Sequence, residues 1–154
     1  MTDAANSAPE PKVAPTVFRP GLFEGLVVIV TGGGTGIGKT IAGRFLELGA
    51  KVAIGSRKAE NYEAAAAELE QQTGRRPFTH ALDTRKPDMI EPFVKAVIDH
   101  YGKIDILVNN AGVTYWVKVS DLEGLTDQIW DEIFDVNVKG AFRCARAAAD
   151  LLGR

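Results

Sequence analysis

The segment TGGGTGIGKT, Thr31 to Thr40, carries two phosphate-binding patterns at once. Gly33-x-x-x-x-Gly38-Lys39-Thr40 matches a loop that cradles a nucleoside triphosphate, with the lysine on the β and γ phosphates and the threonine on Mg²⁺. Thr31-Gly32-x-x-x-Gly36-x-Gly38 matches a dinucleotide-binding turn. Both loops present backbone N–H groups at a helix N-terminus to phosphate oxygens. The residues around the loop decide between them.

Triphosphate chemistry needs a second site, an apolar strand ending in Asp that orients the metal. The fourth strand-like run, Ile104–Val108, ends instead in Asn109-Asn110. Asp83 does follow a strand-like run, but Thr79 and His80 interrupt that run. Without a partner carboxylate, Lys39 reads as a solvated residue on the first turn of a helix, and no metal ligand is expected. The strict pattern G-x-G-x-x-G fails too, because Ile37 stands where its last glycine belongs. What remains is T-G-x-x-x-G-I-G, with the same physical logic. Gly32 permits the tight turn, Gly36 lets backbone approach a pyrophosphate, and Gly38 lets the helix pack close to the strand.

The elements needed to position that turn are legible. Leu26–Val30 is a continuous apolar run, which suits a strand buried on both faces. Ile41, Phe45 and Leu48 recur at helical spacing from Ile37 to Leu48, and Gly49 stops the helix. Lys51–Ile54 reads as a second strand, Glu60–Gln72 as a helix, and Pro77–Leu82 as a weaker third strand. Pro87–Tyr101 reads as a helix with Pro87 in its first turn and Pro92 in or near that turn. Ile104–Val108 is a fourth strand. After a loop to about Leu125, Thr126–Val138 is a helix capped by Thr126, with an apolar stripe of Ile129, Trp130, Ile133 and Phe134. A further helix runs over Gly140–Leu152. Alternating strands and helices at this spacing mean βαβ units on a parallel sheet, with right-handed crossovers that put the glycine turn at the ligand-binding carboxyl edge.

Three motifs in order, TGGGTGIG (Thr31–Gly38), NNAG (Asn109–Gly112) and Asn137 in DVNVKG, resemble the short-chain dehydrogenase/reductases. The likeness covers about residues 23 to 154. It implies an α/β fold of the Rossmann type, a doubly wound parallel sheet, here in the truncated strand order 3-2-1-4. It also implies a cofactor site. The glycine turn would hold the pyrophosphate, the NNAG segment would lie along the ribose, and Asp83 would meet the adenine amine. Those roles fall to Gly32, Thr35, Gly36, Ile37, Gly38, Asp83, Asn109, Asn110, Ala111 and Gly112. FRPGLFEG before the first strand and GSRK after the second resemble enoyl-CoA and dienoyl-CoA reductase-like members.

The end of the second strand reads the adenosine ribose. A carboxylate there accepts from both hydroxyls of NAD and repels the 2′-phosphate of NADP. Ser56 stands at that position, followed by Arg57, whose planar fork suits phosphate. The pair favours NADP over NAD. Thr35 argues the other way, since NADP-preferring members of the family often carry a basic residue there.

The resemblance implies hydride transfer coupled to proton transfer by a tyrosine, with a lysine four residues on, a serine that polarises the carbonyl, and an asparagine that anchors a relay water. Asn137 matches that catalytic asparagine. Tyr62, Tyr101 and Tyr115 are followed four residues later by Ala66, Asp105 and Val119, so no Tyr-x-x-x-Lys exists. The family's serine and tyrosine belong to a fifth strand and the helix after it, so residues 18–154 read as the dinucleotide-binding part of a longer domain. Trp116 reads either as lining an apolar substrate entry or as a buried anchor of its loop. Three readings stand open: an NADP-dependent oxidoreductase acting on a small-molecule carbonyl or enoyl substrate, a non-catalytic dinucleotide-binding module, and a P-loop phosphohydrolase. Strand four would be an exposed apolar edge, and the resemblance makes the last two helices a homo-oligomer face.

The bulk properties set limits. The chain has 154 residues, 45% hydrophobic and 25% charged, which suits one ordinary domain. A formal net charge of -2 gives no electrostatic case for nucleic acid or an anionic membrane. No apolar run approaches the roughly 18 residues of a membrane span. Cys144 is alone and reads as a small apolar helix residue, which fits a reducing cytoplasm. Residues 1–17, rich in proline and without an apolar signal core, read as a disordered leader whose end is pinned by Val17, Phe18, Leu22 and Phe23.

Overall fold

The structure, a computed structural model, describes residues 17 to 152. Apart from Val17, the leader lies outside the described residues. Four strands, β1 (Val27–Thr31), β2 (Lys51–Ser56), β3 (Phe78–Ala81) and β4 (Ile106–Val108), form one sheet in the order β3-β2-β1-β4. Every pairing is parallel. The fold is the expected Rossmann-type doubly wound α/β arrangement.

All five residues of β1 are buried because the strand is central and covered on both faces. Side chains alternate between the faces with period two. Val28 and Val30 join Val52, Ile54, Ala42, Leu46 and Leu69 beneath α1 (Gly36–Glu47) and α2 (Ala59–Thr73). Val27 and Ile29 join Ala53, Phe93, Val97 and Cys144 beneath α3 (Pro87–Tyr101) and α5 (Ala141–Ala148). Just before β4, the Asp105 carboxylate accepts from the Val27 N–H at 2.7 Å. It anchors the start of the central strand where pairing with β4 has not yet begun.

Five expectations need correction. Pro92 lies inside α3, in its second turn, and not at its start. Its missing N–H leaves the carbonyl one turn earlier without a helical partner, a defect tolerated because Ile90, Phe93, Val94 and Val97 bury the apolar face around it. The last two helices are one continuous helical run. An α-helix α4 (Asp127–Phe134) passes through a π-helical turn (Asp135–Gly140) into α5. Gly140 keeps helical angles, φ −60° and ψ −46°, and so does not stop it. The run ends at Ala148, and Leu152 then forms an isolated parallel bridge with Ile104. Of the residues expected to pin the leader, Val17 is almost fully exposed and Phe18 half so, while Phe23 packs on Phe45 with ring centres 4.8 Å apart. Lys39 is ion-paired and not simply solvated: its Nζ lies 2.6 Å from Glu68 Oε2. Trp116 is fully exposed, so it anchors nothing.

The Thr126 hydroxyl caps α4 as expected, accepting from the Ile129 N–H at 3.3 Å. Cys144 sits among the buried residues of the α3–α5 face, where burial pushes its thiol up to about 11. The thiolate, the reactive form, is therefore scarce at neutral pH. Native protein at pH 8 should release no chromophore from Ellman's reagent within minutes, and one equivalent in denaturant. Rapid reaction of the native thiol would show that α5 is not packed as described.

Candidate functional site

The site is built where β1, α1 and β4 converge. The Thr31 hydroxyl, 1% exposed, accepts from the backbone N–H groups of Asn110 at 3.1 Å and Ala111 at 3.0 Å. It donates to the Val108 carbonyl at 3.4 Å. The Asn110 amide returns the contact, donating to the Thr31 carbonyl at 2.9 Å. Side chains thus lock the ends of two strands together after the ladder stops. The helix must then start almost on top of this crossing. A Cβ on Gly38 would stand 2.4 Å from both Asn110 Nδ2 and the Gly32 carbonyl, so no other residue fits. Gly36 has φ +52°, which favours glycine, and a Cβ there would meet nothing within 4 Å. That open space leaves the Gly36 backbone accessible from the cleft. Thr35 occupies the N-cap position without a side-chain capping bond. The first N–H groups of α1 therefore have no side-chain cap, with the positive end of the helix dipole behind them.

A cleft of about 330 Å³ opens at this point. It is lined by Gly32, Thr35, Gly36, Ile37, Gly38, Ser56, Arg57, Asp83, Asn110, Ala111 and Gly112, all singled out from the sequence. Asn109 is exposed at the end of β4 and does not line it. Asn137 does not line it either, although its neighbour Val136 does. Both ends of the Asn137 side chain are engaged with Val113. Its Oδ1 accepts from the Val113 N–H at 2.8 Å and its Nδ2 donates to the Val113 carbonyl at 3.0 Å. The amide thus pins the segment after NNAG to the π-helical turn.

Eight lining residues were missed: Gly55, Lys58, Asn61, Leu82, Thr84, Arg85, Val113 and Val136. Arg85 forks onto the Asp83 carboxylate, with Nε 2.9 Å from Oδ1 and Nη2 2.5 Å from Oδ2. Those bonds hold Asp83 below its usual carboxylate range, with a smaller pull from the Arg57 charge. Arg57 itself has no hydrogen bond or ion pair among the described residues, and neither has the Ser56 hydroxyl. An acid followed two residues later by arginine was the available signal for Arg85. Nearby, the Tyr115 hydroxyl bonds to Glu132, which raises the tyrosine's pKa and lowers the glutamate's. Lys39 faces Glu68 outside this cleft, so the residue a triphosphate would need is not in it. Among the described residues no group of three His, Cys, Asp or Glu is placed to hold a metal ion, and no helix is long and apolar enough to cross a membrane.

A family model described as short chain dehydrogenase matches residues 26–154. The chain belongs to the short-chain dehydrogenase/reductase family. This family member is 37% identical over 127 residues to a Caenorhabditis elegans protein named "Probable 2,4-dienoyl-CoA reductase decr-1.2", covering 82% of this chain and 40% of that one. Its fold superposes on the citronellol catabolism dehydrogenase AtuB of Pseudomonas aeruginosa with TM-score 0.78 and 36% identity, covering 88% of this chain and 54% of that one. A short chain dehydrogenase of Burkholderia cenocepacia, solved in complex with NADP, matches with TM-score 0.74 and 38% identity, covering 86% and 53%. The chain therefore spans about half the length of the relatives it matches.

The Thr31 hydroxyl is the joint of the site, and its removal is measurable. Thr31→Val leaves the part-buried Ala111 N–H unpaired, at roughly 1–3 kcal/mol, while the Asn110 N–H keeps the Val108 carbonyl at 3.1 Å. Urea unfolding should show a loss of about 1–3 kcal/mol for Thr31→Val and much less for Thr31→Ser, which keeps the hydroxyl. Equal stability of the two variants would remove Thr31 from that role.

Proposed function

We propose that this chain is the dinucleotide-binding part of an NADP-dependent oxidoreductase that transfers hydride to a carbonyl or enoyl group of a small-molecule substrate. The observation that carries the reading is the pairing, in one cleft, of an open helix N-terminus at Gly36 with the Ser56 hydroxyl and the Arg57 side chain at the carboxyl edge of β2, both without a hydrogen-bond partner among the described residues. The first receives a pyrophosphate. The second supplies a hydroxyl and a planar fork for a 2′-phosphate, with no carboxylate there to repel it. Asp83, held ionised, accepts from an adenine amine, and Ala111 and Gly112 lie along the ribose. The nicotinamide supplies or accepts the hydride when bound. Asn137 keeps the NNAG segment in place for it.

The 154 residues contain no Tyr-x-x-x-Lys, so we assign proton transfer to residues outside them. The enoyl alternative draws support from the likeness to the dienoyl-CoA reductase, and the NADP complex of the Burkholderia relative supports the cofactor. The lone Cys144, buried and protonated, suits a reducing cytoplasm.

Calorimetric titration of the chain with NADPH, NADH and Mg-ATP tests this. NADPH should bind most tightly. Arg57→Ala should weaken NADPH by about 10- to 100-fold, the worth of a charged hydrogen bond at 1.5–3 kcal/mol, and leave NADH within about twofold. Binding of Mg-ATP without either dinucleotide would sink the proposal. Steady NADPH oxidation by the 154 residues alone would refute the assignment of proton transfer.

One surface favours self-association as well. Trp130, Phe134, Val138 and Phe142 are each about half exposed and stand four residues apart along the helical run. Residues at that spacing drift around an α-helix of 3.6 residues per turn. The π-helical turn takes up the drift, because its wider turn advances each residue less. The result is one continuous apolar stripe, which we assign to a second copy of the chain. Sedimentation should show a concentration-dependent dimer, and Phe134→Glu should return a monomer. A parent chain that stays monomeric at high concentration would exclude this face as an interface.

A further inference from the structure

The cleft holds one acid and two arginines, and their pairing is lopsided. Asp83 is 8% exposed and receives three donors from Arg85: the backbone N–H at 3.1 Å, Nε at 2.9 Å and Nη2 at 2.5 Å. Arg57, whose charge also acts on Asp83, has no partner among the described residues. We propose that Arg85 is a specificity-determining residue that acts through Asp83: by occupying the carboxylate it keeps Arg57 free for the 2′-phosphate of the cofactor. The inference rests on the assignment of Arg57 to that phosphate.

The physical argument is one of competition. A nearly buried carboxylate needs cationic or N–H partners to remain ionised. Without the Arg85 side chain, Asp83 keeps a single backbone N–H. The next cation within electrostatic range is Arg57, across the same cleft. An Arg57–Asp83 pair would then have to be broken for each 2′-phosphate bound, whereas a cofactor with a free 2′-hydroxyl makes no demand on Arg57. Removing Arg85 therefore lowers discrimination more than it lowers affinity.

Arg85 is also held in place for this task. Arg143 on α5 donates to the carbonyls of Thr84 and Arg85, both at 3.3 Å, and is itself fixed to Asp135 at 2.9 Å. Gly140 closes on the same turn: a Cβ there would stand 2.7 Å from Thr84 Oγ1. Glu132 and Asp135 add their charges to the environment of Arg85. The turn after β3 is thus braced from the π-helical segment, and the guanidinium is presented to Asp83 from a fixed base.

The test is the ratio of NADPH to NADH affinity, measured by calorimetry on the chain and on five variants. Arg57→Ala checks the underlying assignment: an unchanged ratio there removes both it and this inference. With that ratio collapsed as expected, Arg85→Ala should cut it at least fivefold. Adding Asp83→Asn to Arg85→Ala should restore it to within about twofold of the Asp83→Asn single variant, because a neutral amide does not capture Arg57. Arg85→Gln keeps the stem and two N–H donors and covers the case in which Arg85→Ala does not fold. It should cut the ratio by less than Arg85→Ala but in the same direction. Equal weakening of NADPH and NADH by either Arg85 variant would mean that Arg85 only shapes the adenine end of the cleft, and would overturn the proposal.

Discussion

Three segments meet at the carboxyl end of β1 with no room for a side chain between them. The Gly32 carbonyl and the Asn110 amide both lie where a Cβ of Gly38 would be. This crowding sets the start of α1, and the start of α1 sets the direction of its unpaired N–H groups. It also brings NNAG against the glycine turn, so that one face of the cleft is made by residues from opposite ends of the chain. The Thr31 hydroxyl makes such proximity tolerable by accepting from the Ala111 N–H, which the turning chain would otherwise leave unpaired, and from the Asn110 N–H, which it shares with the Val108 carbonyl.

The cleft's electrostatics follow from the same arrangement. A helix N-terminus and three basic side chains, Arg57, Lys58 and Arg85, surround a single nearly buried acid. Such a field suits a ligand with several negative charges, and a lone carboxylate survives in it because arginine shields it. Asp83 and Arg57 both stand in loops just beyond the ends of β3 and β2, where the sheet positions them.

How much of this was legible depended on distance along the chain. Gly32, Gly36 and Gly38 could be read from a window of a few residues because backbone geometry alone demands them. The apolar runs of β1 and α3 were equally local. Lys39 was not, since its partner Glu68 lies on the next helix and no pattern links the two. Asn137 was found by resemblance, but its engagement with Val113 depends on how α4 crosses the loop after NNAG, which tertiary packing decides. The π-helical turn was invisible for a related reason. Gly140 has the composition of a stop, and only the close approach of Thr84 explains why a glycine sits in a continuing helix.

The pairing of β1 with β4 has a kinetic side. The Thr31–Asn110 bond joins residues 79 apart, whereas β1 and β2 meet across one short helix. Closing the longer loop costs more chain entropy, so the β1–α1–β2 unit is favoured to form first and β4 to dock late. During synthesis the glycine turn would then exist as a flexible loop until the NNAG segment has left the ribosome. The ligand cleft is a product of the last docking step, and any ligand that fills it acts as a latch on that step.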